Sequence, residues 1–118
     1  MLVVKTTAGA EAPERCSQAF TVAATAAAAG MPVSLWLTGE SVWFALPDRA
    51  AEFSLPHSAP LPALLNTVLA SGQITVCTQC AARRNIEQSD LIAGIRIAGA
   101  AVFVEEVTSP ETRQALVY

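Results

Sequence analysis

Charge is what this sequence has least of. Asp, Glu, Lys and Arg make up 14% of its 118 residues, against roughly 25% in an average soluble chain, while 53% of the residues are apolar. A small monomer so poor in charge has trouble covering its surface with polar groups. The expectation is that several elements are buried on all sides and that another subunit covers part of the surface. The net charge of −3 and a pI near 5.0 argue against nucleic acid, which calls for a basic footprint. The one paired-basic site, Arg83-Arg84, is too small to reverse that. There is a single histidine, His57, in a connection holding Pro47, Pro56 and Pro60, where a histidine is usually just solvated.

Other signatures are missing as well. No GK[ST] ending and no G-x-G-x-x-G follows the first strand, so Thr6-Thr7-Ala8-Gly9 does not read as a nucleotide loop. No carboxylate pair or Ser/His/Asp grouping is evident. The start, Met1-Leu2-Val3-Val4-Lys5, lacks the basic and long apolar regions of a signal peptide. The longest weakly polar run, Ala19 to Gly30, is mostly alanine and falls short of a membrane span. A cytoplasmic protein without membrane or nucleic-acid partners is expected. Three cysteines do not make a disulfide framework, and a pair three residues apart reads as redox, metal or sulfur chemistry in a reducing compartment.

What is present alternates between strand and helix patterns. Leu2-Val3-Val4 suits a strand buried on both faces. Pro13, with Glu11 and Glu14 around it, opens an alanine-packed helix that stops at Gly30-Met31-Pro32. Cys16 near its start is read as a small buried residue. Val33–Leu37 is the second strand, and Val42–Leu46 a short helical piece ended by Pro47, with Trp43 and Phe44 fitting either the core or a pocket or subunit contact. Leu61, Leu64, Leu65, Val68 and Leu69 form the stripe of a core-facing helix closed by Gly72. Ile74-Thr75-Val76 is a third, central strand. Ser89-Asp90 caps a short turn closed by Gly94, Ile95–Ile97 is a short strand, Ala98–Val107 is assigned to helix, and Gln114–Tyr118 is a last strand. Alternation without tight hairpins predicts one domain, residues 1–118, built on a parallel sheet with helices on both faces.

The chemistry concentrates at Val76-Cys77-Thr78-Gln79-Cys80-Ala81-Ala82-Arg83-Arg84. Ligands bind at the carboxyl ends of strands in open parallel sheets, and Cys77 ends the third strand. A helix starting just beyond it would stabilise the Cys77 thiolate. Helical spacing sets Cys80 and Arg84 on the same face. Arg83, Arg84 and Thr78 are the candidate anion- or substrate-binding groups, the two arginines also as sources of positive charge. Several readings of the pair compete. A structural zinc site lacks a second pair within the chain, although two subunits can each donate one. A thioredoxin-type dithiol fits the spacing but not the surrounding turn. A sulfur carrier needs only an accessible nucleophilic Cys77. Two buried structural cysteines remain the plain alternative.

Several stretches resemble the DsrE/DsrF-like family, which includes the TusD-type sulfur-relay subunits. Leu2–Lys5 with the helix from Pro13 to Ala29 and the run Gly30–Val33 is similar to its first βαβ unit, and Leu35–Val42 to its strand-turn-glycine segment. Most telling is Val76–Ile86, where Cys77 falls at the position of the family's sulfur-accepting cysteine and Cys80 at a second cysteine found in some members. Asn85 departs from the usual glycine, a position asparagine tolerates because it enters the left-handed region more readily than most residues. The resemblance implies a three-layer α/β/α sandwich with a five-stranded, mainly parallel sheet and a homo-oligomer, commonly a trimer or hexamer. It also implies sulfur relay, with Cys77 carrying sulfane sulfur as a persulfide, a possible sulfurtransferase serving donor and acceptor proteins. No metal or cofactor is expected. The alternative is an oligomeric redox-sensing or small-ligand-binding protein using a reversible Cys77–Cys80 dithiol.

Overall fold

The computed structural model describes all 118 residues. In chain order the regular elements are β1 (Leu2–Thr6), α1 (Pro13–Ala28), β2 (Val33–Leu37), α2 (Leu61–Ser71), β3 (Gln73–Cys77), α3 (Thr78–Arg83), β4 (Arg96–Ala98), α4 (Ala100–Thr108) and β5 (Gln114–Val117). Short 3-10 turns cover Gly39–Ala45, Ala50–Glu52 and Gln88–Asp90. The strands form one sheet in the order β4-β3-β2-β1-β5, and every pairing is parallel. The α/β architecture expected from the alternation is therefore present. β3 is an interior strand, but the centre of the sheet belongs to β2.

Alternation along the strands separates two chemically different faces. Leu2 and Val4 of β1, Val33, Leu35 and Leu37 of β2, and Ile74 and Val76 of β3 all join the apolar core with α1 and α2. On α1 the buried residues Cys16, Ala19, Phe20, Ala23, Ala24 and Ala27 recur at helical spacing. Alanine here brings the helix close to the sheet, and Pro13 starts it where an N–H would have no partner. The opposite face carries Lys5, Ser34, Trp36, Thr75 and Arg96. Register aligns Lys5 with Trp36, Trp36 with Thr75 and Thr75 with Arg96.

That second face is covered by α4, which buries no residue completely. Its hold on the sheet is polar and aromatic. Glu106 Oε2 accepts hydrogen bonds from Ser34 Oγ at 2.7 Å and Trp36 Nε1 at 2.8 Å. Glu106 Oε1 accepts from Arg96 Nη2, and Arg96 Nε donates to Thr75 Oγ1 at 2.8 Å. Phe103 meets Trp36 edge to face at a centroid distance of 5.2 Å. Ser34, Trp36 and Thr75 are all buried, so their polar atoms depend on these partners.

The assignment of Ala98–Val107 to one helix is corrected in its first residues. Ala98 ends β4, Gly99 is the N-cap, and the helix begins at Ala100. The turn before β4 also differs from expectation: Glu87 is the N-cap and Asp90 closes a capping box with it. Replacing Glu106 by Ala leaves Trp36 Nε1 and the Ser34 hydroxyl without an acceptor in a buried place. A loss of about 2–4 kcal/mol in urea-unfolding stability is expected, with a shift in Trp36 fluorescence. Unchanged stability and fluorescence would show that α4 docks without this carboxylate.

Candidate functional site

Cys77 is at once the last residue of β3 and the N-cap of α3. The backbone turns there from φ −63°, ψ 128° into helix, which sets the thiol beside the first amides of α3. The side chain is half-buried in a cleft of about 340 Å³ at the carboxyl edge of the sheet. β1 and β2 contribute Lys5 and Trp36 to this cleft, with Thr38 just beyond β2. The β3–α3 turn contributes Cys77, Thr78 and Gln79, and the start of α4 contributes Gly99, Ala100 and Phe103.

Burial of the Cys77 thiol opposes ionisation, yet the net effect is a pKa below the ordinary thiol value. Hydrogen bonding from the Cys80 backbone amide and thiol outweighs the burial, helped by the Gln79 amide and the nearby charge of Lys5. Cys80 is itself buried, and its Sγ accepts a hydrogen bond from the Gly39 amide at 3.2 Å. Gly39 has φ +59°, and a β-carbon there would stand 2.7 Å from the Thr7 carbonyl oxygen, so the amide is aimed by a turn only glycine fits. The Gly39 amide thus holds Cys80 in place, and Cys80 in turn favours the Cys77 thiolate. Cys16 has the opposite setting. It is fully buried in α1, and burial, with the charge of Glu11, pushes its pKa up to about 12.

The predicted site residues divide. Cys77 and Thr78 line the same cleft, and Cys80 lies buried next to Cys77 outside it. Arg84 turns away to Glu40, with Nε 2.8 Å from Oε2, while its Nη1 donates to the Cys80 carbonyl at 3.0 Å. That hydrogen bond and charge hold Glu40 below its ordinary carboxylate value. Arg83 is exposed, and neither arginine lines the Cys77 cleft. The positive charge at the thiol is Lys5, which was not singled out from the sequence. Its signal lay in strand parity: in a parallel sheet Lys5, Trp36, Thr75 and Cys77 share one face. His57 is exposed and does not line the cleft. Phe44 belongs to the core, while Trp43 lines a second cavity of about 260 Å³, with Arg49 stacked 4.8 Å from its ring centroid and its Nε1 donating to Glu40.

The model of the DsrE/DsrF-like family matches residues 2–109. The chain belongs to that family. Among solved structures, the crystal structure of the ychN protein from E. coli superposes with a TM-score of 0.81 at 16% identity, covering 99% of this chain and 97% of that one. At that identity the likeness concerns the fold. No curated protein matches the sequence. The DsrE-like assignment accords with the expected sheet, and Asn85, where the family usually has glycine, adopts φ +55°, the left-handed turn that asparagine tolerates.

Two reactivity predictions follow from the thiol environments. Iodoacetamide at neutral pH should modify Cys77 in the folded protein and spare Cys16 until the chain is unfolded. The pH midpoint of Cys77 alkylation should lie below the ordinary thiol value and rise in Cys80→Ala, because a donor to the thiolate is lost. A midpoint that stays put in Cys80→Ala contradicts the part given to the Cys80 thiol.

Proposed function

We propose that this DsrE-like protein is a sulfur carrier that holds sulfane sulfur as a persulfide on Cys77. Family membership supports sulfur relay in general terms. The observation that carries the specific reading is a half-buried thiol, shifted toward thiolate, at the mouth of a strand-end cleft. In loading, the Cys77 thiolate attacks the outer sulfur of a donor, and the donor's leaving group departs with the electron pair of the broken S–S bond. In discharge, an acceptor thiolate attacks the outer sulfur of the persulfide and Cys77 leaves as thiolate. The chemistry draws on no metal or cofactor. Cys80 acts as hydrogen-bond donor to whichever sulfur carries the negative charge, so it modifies the rate without being indispensable.

A second reading rests on the contact between the two thiols. Cys77 and Cys80 as a reversible disulfide would make the protein a redox sensor or a switchable small-ligand binder. Cysteines at i and i+3 across a helix start form a strained and labile bond. We further propose that the protein works as a cytoplasmic homo-oligomer, a trimer or hexamer. Val104 of α4 and Val117 of the edge strand β5 are 54% and 64% exposed, apolar surface of the kind that subunits cover. Light scattering giving a 12.3 kDa particle would remove the oligomer.

Incubation of reduced protein with a sulfane donor should add the mass of sulfur to the Cys77 peptide. The adduct should vanish in Cys77→Ser and survive, at a lower rate, in Cys80→Ser. Loss of all loading in Cys80→Ser, with a disulfide forming in the wild type under mild oxidants, favours the dithiol reading instead.

A further inference from the structure

Lys5 is the only lysine in the chain, and it lies half-buried in the wall of the Cys77 cleft. Its ammonium stands 4.6 Å from the centroid of the Phe103 ring. The chain's ion pairs are Arg49–Glu52, Arg84–Glu40 and Arg96–Glu106, so Lys5 has no carboxylate partner. A cation set against an aromatic wall gives up part of its hydration, and the ring face returns only part of that. What it lacks is an anion.

Two further features define what anion fits. The Thr38 hydroxyl lines the same cleft but already donates to the Thr6 carbonyl at 2.7 Å, so Thr78 provides the open hydroxyl beside Cys77. An ammonium and a hydroxyl are compact N–H and O–H donors, which pair best with charge concentrated on oxygen. The cleft volume of about 340 Å³ is that of a small-molecule site, roughly 300–1,000 Å³ in general. Resting on the sulfur-carrier reading, we propose that Lys5, assisted by Thr78, binds the oxyanion end of a small sulfane donor of the thiosulfate class.

The step balances without any outside oxidant or reductant. The Cys77 thiolate attacks the outer sulfur of thiosulfate, a new Sγ–S bond forms, and the S–S bond of the donor breaks. Its electron pair leaves on sulfite, and Cys77 keeps the transferred sulfur as a persulfide anion. Lys5 stabilises the negative charge that grows on the departing sulfite, an effect enlarged beside the apolar rings of Trp36 and Phe103.

The test compares wild type, Lys5→Met and Lys5→Arg with thiosulfate and with dimethyl trisulfide, an uncharged sulfane donor whose central sulfur Cys77 attacks, releasing methanethiolate and leaving a Cys77 Sγ–S–S–CH3 adduct. Sulfur on Cys77 is read by mass spectrometry and sulfite release is measured alongside. Wild type should load from thiosulfate with one sulfite released per sulfur bound. Lys5→Met should lose about tenfold or more in that rate, the scale of one charge-assisted hydrogen bond, while loading from the trisulfide falls much less. Lys5→Arg should retain most of the thiosulfate activity. The ratio of iodoacetate to iodoacetamide alkylation rates at Cys77 should also drop in Lys5→Met, a ratio that cancels any change in thiolate fraction. Loading from the trisulfide but not from thiosulfate overturns the substrate class and leaves the carrier reading intact. An equal slowing with both donors, with the alkylation ratio unchanged, overturns the role of Lys5. No loading from either donor overturns the carrier reading itself.

Discussion

The site depends on how one carboxylate pins the last helix to a polar sheet face. α4 has no fully buried side chain, so apolar burial alone does not set its position. Glu106 does so by accepting from Ser34, Trp36 and Arg96 at once. With the helix held there, Phe103 stands against Trp36 and beneath the Lys5 ammonium, and the first turn of α4 closes the cleft opposite Cys77. A half-buried carboxylate satisfied by three donors is costly to break and specific in geometry, which suits a wall that must stay in place while a ligand enters.

The other half of the site is built by the β3–α3 turn and the glycine loop after β2. Cys77 ionises more easily because of the first of these, through the Cys80 and Gln79 amides and the Cys80 thiol, while the Gly39 amide of the second donates to Cys80. Burial alone would push the thiol the other way, as it does for Cys16. The same residue type thus takes opposite character in one chain, according to whether donors or apolar atoms surround it.

Much of this was legible in the sequence where local signals were strong. Pro13 and Gly30-Met31-Pro32 bracket α1, and the stripe from Leu61 to Leu69 with Gly72 marks α2. Cys77 at a strand end could be read because β3 is apolar and the helix follows at once. The stretch from Ala98 to Val107 was blurred because β4 has three residues and α4 lacks a buried stripe to give a clear period. The cation was misplaced for a different reason. Arg83 and Arg84 are neighbours of Cys77 in sequence, but Glu40, presented by the loop after β2, captures Arg84. Lys5 reaches the thiol only through the sheet register, which no local pattern reveals. The family resemblance supplied the sandwich and the cysteine, not the partners that tune it.

Sulfur carriage by this protein stands or falls with Cys77 Sγ as the atom that bears the sulfur. The most direct measurement is the mass of the Cys77 peptide from protein isolated from cells without reductant. A population bearing one added sulfur on Cys77, removed by reductant, is expected. A Cys77 found only as free thiol, or only as a disulfide with Cys80, would contradict it.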